Sequence, residues 1–330
     1  MDRIDYAQSV ILARVYEKRL LGKQKLERMI DAPDENEVYK ILMDSEYSKS
    51  AAGVFDVYGY VQLLNQEMSR IRDIADELLK DKRILEIMTL RYDYHNLKVI
   101  LKSKFSGKDL SEKFIPSKNA NPQTVQAQVE AEKFTTIKPE FATALKATIE
   151  EYERTKDPQV IDIIMDRYYF EHIRALAETL DIQFFRDYIL GKIDFYNVIS
   201  LVRMKRMNKT VHFAEKVFAD GGRIQKSKLM SLLQADVDKM ITSLKGEAIG
   251  AYVVKGLNEY RKTDSLFTLE KQSKRYLKEL TKDARFITFG PEPIIAYILA
   301  KEEELEAVRF IIVGKLNNIP ADKIRERLGD

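Results

Sequence analysis

The chain has 330 residues, with 55 Lys and Arg against 52 Asp and Glu, and no cysteine. That length suffices for two or three cores of ordinary size, while a net charge of +3 is too small to argue for nucleic acid or an anionic surface. Without thiols there are no disulfides and no thiolate metal sites, which suits a reducing cytoplasm.

With 45% hydrophobic and 32% charged residues but only 13 Gly and 8 Pro, an all-α protein is expected. The N-terminus, Met1-Asp2-Arg3-Ile4-Asp5, lacks the layout of a signal peptide. No apolar run approaches the ~20 residues of a membrane span. The longest, Ile294 to Ala300 and Phe310 to Gly314, are separated by a stretch that holds Lys301 and four glutamates. A role at a membrane would therefore be played from the aqueous side.

In chain order, a first helix is expected over 4–21, stopped by Gly22. A short one follows from Gln24 to Ile30, and Ala32-Pro33-Asp34 recaps the chain into 34–44. Between Val54 and Leu78 the apolar positions Val54, Val57, Val61, Leu64, Met68, Ile71, Ala75 and Leu78 step by threes and fours. This seam fits either a coiled-coil helix or, since it lasts under four heptads, packing inside a bundle. A long helix is expected over 81–104. Residues 113–140, with three prolines and little periodicity, make the best linker. Helices are expected again over 140–155, from Asp157-Pro158 to Thr179, and over 183–207. Gly221-Gly222 marks a second boundary. Beyond it come helices over Ile224–Leu233, Val237–Leu244, Ala248–Tyr260 and Ser265–Leu280, a loop from Lys282 to Pro293, a long helix over 293–316, and a short terminal helix after Pro320. Strand signals are essentially absent.

The three long helices share one pattern. Asp93-Tyr94-His95-Asn96-Leu97 returns as Asp194-Phe195-Tyr196-Asn197-Val198 and, degraded, as Glu304-Leu305-Glu306-Ala307-Val308. Counting from the acid, offsets one, four, seven and eight are apolar in every copy, the stripe of an amphipathic helix. Offset eleven is always lysine: Lys104, Lys205 and Lys315. The copies lie roughly a hundred residues apart, too far for a solenoid repeat of about 20 to 50. Three tandem helical subdomains are expected, 1–112, 113–222 and 223–330, each ending in the same long helix.

Catalytic signals are missing. No Gly-x-x-x-x-Gly-Lys-Ser/Thr occurs, and the Gly-Lys pairs lack the upstream glycine and the hydroxyl that hold phosphate and magnesium. His95, His172 and His212 have no metal-ligand spacing and are expected on the surface or in helix packing. No serine sits in a nucleophile elbow. Asp93, Asn96, Asp194 and Asn197 could serve as base and orienter. A site repeated in three subdomains would be unusual, however, so interhelical hydrogen bonds or exposure are expected instead. The basic run Arg203, Lys205, Arg206 and Lys209 closes the second repeat helix, where cations suit the macrodipole. It is a solvated helix end or a contact for an acidic partner. No catalytic, cofactor-binding or metal-ligating residue is assigned, and partner-contacting residues are left open.

Leu90-Arg91-Tyr92-Asp93-Tyr94-His95-Asn96-Leu97-Lys98, the stretch from Gly290-Pro291-Glu292-Pro293 to Glu302, and Val313-Gly314-Lys315-Leu316-Asn317 resemble the C subunit of bacterial and archaeal V-type (A-type) rotary ATPases, the counterpart of the d subunit of eukaryotic V-ATPases. Ala13-Arg14-Val15 and Lys25-Leu26-Glu27-Arg28 extend the resemblance to the whole chain. It implies three similar helical domains about a pseudo-three-fold axis, shaped as a funnel. It also implies a non-catalytic rotor part without cofactor, peripheral on the cytoplasmic face, joining the central shaft, made of the D and F subunits, to the proteolipid ring. The transported ion, proton or sodium, is set by the ring. The competing readings are a helical-repeat scaffold in another assembly, an all-α enzyme and a basic nucleic-acid binder. A deep pocket of convergent acids would mark the enzyme and a continuous Lys/Arg face the binder.

Overall fold

The computed structural model describes residues 2–117 and 119–328; Met1, which opens the N-terminal stretch, lies outside them. Among the described residues there are sixteen α-helices, four short 3-10 turns and no strand. In chain order the helices are α1 (Ala7–Glu17), α2 (Lys23–Asp31), α3 (Glu35–Met43), α4 (Tyr60–Leu78), α5 (Lys82–Ser106), α6 (Pro122–Glu130), α7 (Pro139–Thr155) and α8 (Gln159–Glu178). They continue with α9 (Gln183–Arg206), α10 (Val211–Val217), α11 (Lys226–Leu232), α12 (Val237–Leu244), α13 (Gly250–Thr263), α14 (Phe267–Ala284), α15 (Glu292–Leu316) and α16 (Ala321–Leu328).

Local chemistry sets these limits. The Asp34 carboxylate accepts the Glu37 amide at 2.9 Å to start α3, and Asp236 accepts the Lys239 amide at 2.7 Å to start α12. The stretch 113–140, read as a linker, holds a helix of its own. Asn121 caps α6 through the Thr124 amide at 3.0 Å and Pro122 occupies its first turn, so a cap outweighs weak periodicity there. The three repeat helices α5, α9 and α15 stop alike. Fourteen residues past the acid, Gly107, Asn208 and Asn318 all adopt left-handed backbone, with φ of 69°, 50° and 54°. Glycine and asparagine take up that conformation at a helix end at less cost than most residues.

The chain divides into two compact units: residues as far as Leu85 together with those from Thr281 onward, and the span from Glu86 to Leu280. In the first unit α4 packs against α15 and α1 inside a helical bundle rather than forming a coiled-coil arm. Of its expected seam, Val61 is exposed, while Leu63, Ile74 and a charged residue, Glu67, are buried. The core joins Met29, Val38 and Leu42 from the beginning of the chain to Val308, Ile311 and Ile312 from its end. In the second unit Val198, Leu201 and Val202 of α9 meet Leu229, Leu244, Val253, Leu257 and Leu269. Every residue of the repeated stripe, from Tyr94, Leu97, Ile100 and Leu101 to Ile312, is buried. Each such side chain contributes about 1.5–3 kcal/mol; truncating Ile311 to alanine would cost about 2–5 kcal/mol.

Candidate functional site

The polar positions of the repeat hold the connecting chain in place. Asn96 donates from Nδ2 to the Ile115 carbonyl at 2.7 Å and accepts the Ile115 amide at 2.9 Å. Asn197 does the same to Ala219, at 2.9 Å in both directions. One side chain thus satisfies both polar groups of one residue, as a neighbouring β-strand would. The acids grip the same connections. Asp93 accepts from the Ser117 hydroxyl and, at 2.8 Å, from Asn119 Nδ2, whereas Asp194 Oδ1 accepts the Ile224 amide at 3.0 Å. These four residues are therefore buried and hydrogen-bonded, but to connecting residues further along the chain, Ile115, Ser117 and Asn119 after α5 and Ala219 and Ile224 after α10, rather than to another helix.

The third copy is completed from the other end of the chain. Glu304 accepts the backbone amide of Leu21, two residues ahead of α2, just as Asp194 binds Ile224 two residues ahead of α11. Lys315 donates to the Ala32 carbonyl at the end of α2 at 2.6 Å, and Lys104 donates to Val129 in the last turn of α6 at 3.1 Å. A lysine is a fitting partner for the carbonyls left open at a helix C-terminus. Lys205, at the same position of α9, lies half-buried in the basic end of that helix, whose Arg203 and Arg206 are exposed. Arg203 pairs with Glu270 at 2.7 Å, and Arg206 donates to the Asp264 carbonyl at 3.3 Å.

Where Asn is replaced by Ala307, a buried charge cluster holds the N-terminal segment. Lys301 Nζ lies 2.8 Å from Glu67 and 2.6 Å from Glu304, and 4.1 Å from the Tyr47 ring centroid. Arg70 forks onto both Glu67 oxygens at 2.8 and 2.7 Å, Ser50 donates to Glu67 at 2.6 Å, and Tyr47 donates to Glu304 at 3.0 Å. Two cations face two anions with every charge partnered, which is what makes burial of charge tolerable. Burial alone would raise the Glu67 pKa, but Arg70, Lys301 and Ser50 outweigh it and hold it at about 2. Burial and the neighbouring Glu304 push the Tyr47 hydroxyl well above its usual range. The sequence carried one overlooked signal for this cluster: acidic and basic residues at core positions, Glu67 within the α4 seam and Lys301 directly after an apolar run.

Asp194 is the exception. Its Oδ2 is buried with no hydrogen-bond partner among the described residues. Desolvation raises its pKa to about 6, with the Ile224 amide and Arg223 only partly opposing. Gly222 permits this close wrapping, because a Cβ there would lie 2.5 Å from Asp194 Oδ1. Of the histidines, His172 is buried against Tyr94 with its pKa lowered by desolvation. His95 meets the Lys113 carbonyl at 3.1 Å, and His212 is exposed near Glu215. Among the described residues no group of acids and histidines could hold a metal ion, and no helix is long and apolar enough to cross a membrane. This polar chemistry fastens segments to helices.

Residues 12–327 match the family model described as ATP synthase (C/AC39) subunit. The chain is 25% identical over 325 residues to the C subunit of the V-type sodium ATPase of Enterococcus hirae, covering 98% of each chain. It is 24% identical to the C subunit of the A-type ATP synthase of Methanocaldococcus jannaschii, covering 99% of this chain and 87% of that one. With the corresponding protein of Haloferax volcanii it shares 22% identity over 96% of each. The chain belongs to the C/AC39 subunit family of the V/A-type ATP synthases, a non-catalytic component of those rotary ATPases.

Proposed function

We propose that this chain is a rotor part that couples the central shaft, formed by the D and F subunits, to the proteolipid ring. It would sit on the cytoplasmic face of the membrane without entering it and carry torque for proton or sodium transport. The observation that carries this reading is one helix used three times in a chain of this family, fastened each time to a connecting segment. Three tandem subdomains, 1–112, 113–222 and 223–330, about a pseudo-three-fold axis would give a coaxial spacer both a footing on the ring and a socket for the shaft. Torque transmission needs stiffness, which close-packed helices with pinned connections supply better than loose loops.

The test is capture of the purified chain by a reconstituted D–F complex and, separately, by detergent-solubilised proteolipid ring. Binding to both is expected, the shaft contact weakening as salt rises, since charged contacts are screened. Capture by neither would contradict the reading and favour a helical scaffold of another assembly.

A further inference from the structure

Helix α9 carries two acids on one face with a glycine between them. Asp187, Gly191 and Asp194 step by four and three, so they lie along one side of the helix, two turns or about 10 Å from end to end. Gly191 keeps that line open: a Cβ there would stand 2.5 Å from Tyr276 Cε1, so the α14 ring lies against bare backbone between the acids. Arg223, in the connector that leads into α11, reaches the same line. Its guanidinium pairs with Asp187 through Nη2, and the amide of the next residue, Ile224, is the one that Asp194 holds at 3.0 Å. All three charges act on the Tyr276 hydroxyl, Arg223 favouring its ionisation and the two acids opposing it.

The two acids differ in setting. Asp187 and Arg223 form a half-exposed pair, their side chains 31% and 26% accessible, and Gln183 also donates to Asp187 at 3.1 Å. Asp194 is fully buried, and its Oδ2 has no hydrogen-bond partner among the described residues; neither has the buried Nη1 of Arg223. An acceptor and a donor of opposite charge are thus left over beside each other. The remaining charges around α9 are engaged. Glu247, in the turn before α13, opposes ionisation of Asp194 and is paired with Lys228 of α11 at 2.5 Å. Asp220 of the connector faces Lys226 at 3.7 Å. In α8 and α10, Asp166 pairs with Lys98, Arg174 with Glu178, and Lys216 with Glu151. Arg223 is the cation placed to answer a change of charge at Asp194.

We infer that Arg223 is a proton-controlled latch, pairing with Asp187 while Asp194 is protonated and moving along α9 to Asp194 when that carboxyl gives its proton to solvent. A half-exposed ion pair contributes little to stability. An ionised carboxylate buried without a partner is costly, and a guanidinium beside it relieves that cost. The balance between the two positions therefore tips with the proton. The Ile224 amide stays on Asp194 in both states, so the connector keeps its place and only its grip on α9 moves. Acid ties the first turns of α9 to the connector through Asp187, and neutral solution releases them.

The test uses the full-length chain and the variants Asp194→Asn, Asp187→Asn and Arg223→Gln, each checked for folding by circular dichroism. Crystal structures at about pH 4.5 and about pH 8 locate the guanidinium. In solution, NMR follows the Arg223 Nε–Hε resonance, identified by its loss in Arg223→Gln, between the same limits. In the unaltered chain Arg223 should lie on Asp187 in acid and on Asp194 at the higher pH. Its resonance should shift with a midpoint at or below about 6, since pairing favours the ionised form. Asp194→Asn should abolish the shift and leave Arg223 on Asp187 throughout, while Asp187→Asn should lower the midpoint by about half a unit or more. A guanidinium that remains on Asp187 at the higher pH, or a shift that survives Asp194→Asn, would overturn the inference.

Discussion

Asp194 and Glu304 occupy the same position in two copies of one helix, and they are buried in opposite ways. Asp194 holds the segment that follows its own helix, takes one backbone amide, and leaves an oxygen unpartnered. Glu304 holds a segment from the far end of the sequence and is surrounded by Lys301, Tyr47 and the Leu21 amide. Where the chain is continuous, a covalent tether keeps the segment nearby and an Asn suffices to position it. Leu21 lies 283 residues from Glu304 in the sequence, so that contact must itself overcome the entropy of bringing distant segments together. A partnered charge cluster stands at the place where the segments are farthest apart along the chain.

The largest effect should come from breaking that cluster. Lys301→Met leaves Glu67 and Glu304 buried without their shared cation, and denaturant unfolding should show a loss of about 3–5 kcal/mol. A loss below about 1 kcal/mol would mean that the cluster holds nothing. Next comes Asn197→Ala, which strands both polar groups of Ala219 in a buried setting, at about 2–3 kcal/mol. Asn96→Ala should cost less, because the bonds to Ile115 are only partly buried and water can replace them.

The two kinds of buried acid should also answer pH oppositely. Glu67 has a lowered pKa of about 2, so its stabilisation is complete above the ordinary carboxylate range and is lost as pH falls towards 2. Asp194 has a raised pKa of about 6, so the folded state binds the proton more tightly and stability declines as pH rises from about 4 to 6. Asp194→Asn should flatten that decline and raise stability above pH 7 by about 1–2 kcal/mol, read from unfolding midpoints across pH. A variant less stable than wild type at pH 8 would show that ionised Asp194 contributes something an amide cannot. The smallest effect is expected of Ala307→Asn. The N-terminal segment is already held by Glu304 and Lys315, so stability should stay within about 0.5 kcal/mol of wild type.

Much of this was legible from the residues. The apolar stripe fixed which face of α5, α9 and α15 is buried, because a period of 3.6 leaves little choice of inward side. Asp34 and Asn317-Asn318 marked helix ends through local backbone chemistry, which needs no tertiary context, whereas the first helix, expected to run to Gly22, stops at Glu17, and Gly22 instead opens α2. Helix α6 was missed because its signal was a single Asn-Pro cap without periodicity. The partners of Asp93 and Asn96 were misjudged because a side chain cannot reveal whether its hydrogen bond goes to a helix or to a loop. The Glu67–Lys301 pairing was hidden for a deeper reason: its members lie at opposite ends of the chain, and only packing brings them together.

The most direct test of the central claim, that this is a non-catalytic coupling part, is to reconstitute the rotary ATPase in vesicles with and without this chain and to follow ATP hydrolysis and ion uptake together. Omitting the chain should leave ATP hydrolysis running while ATP-driven ion uptake disappears, and adding it back should restore uptake. Uptake that persists without the chain would contradict the account.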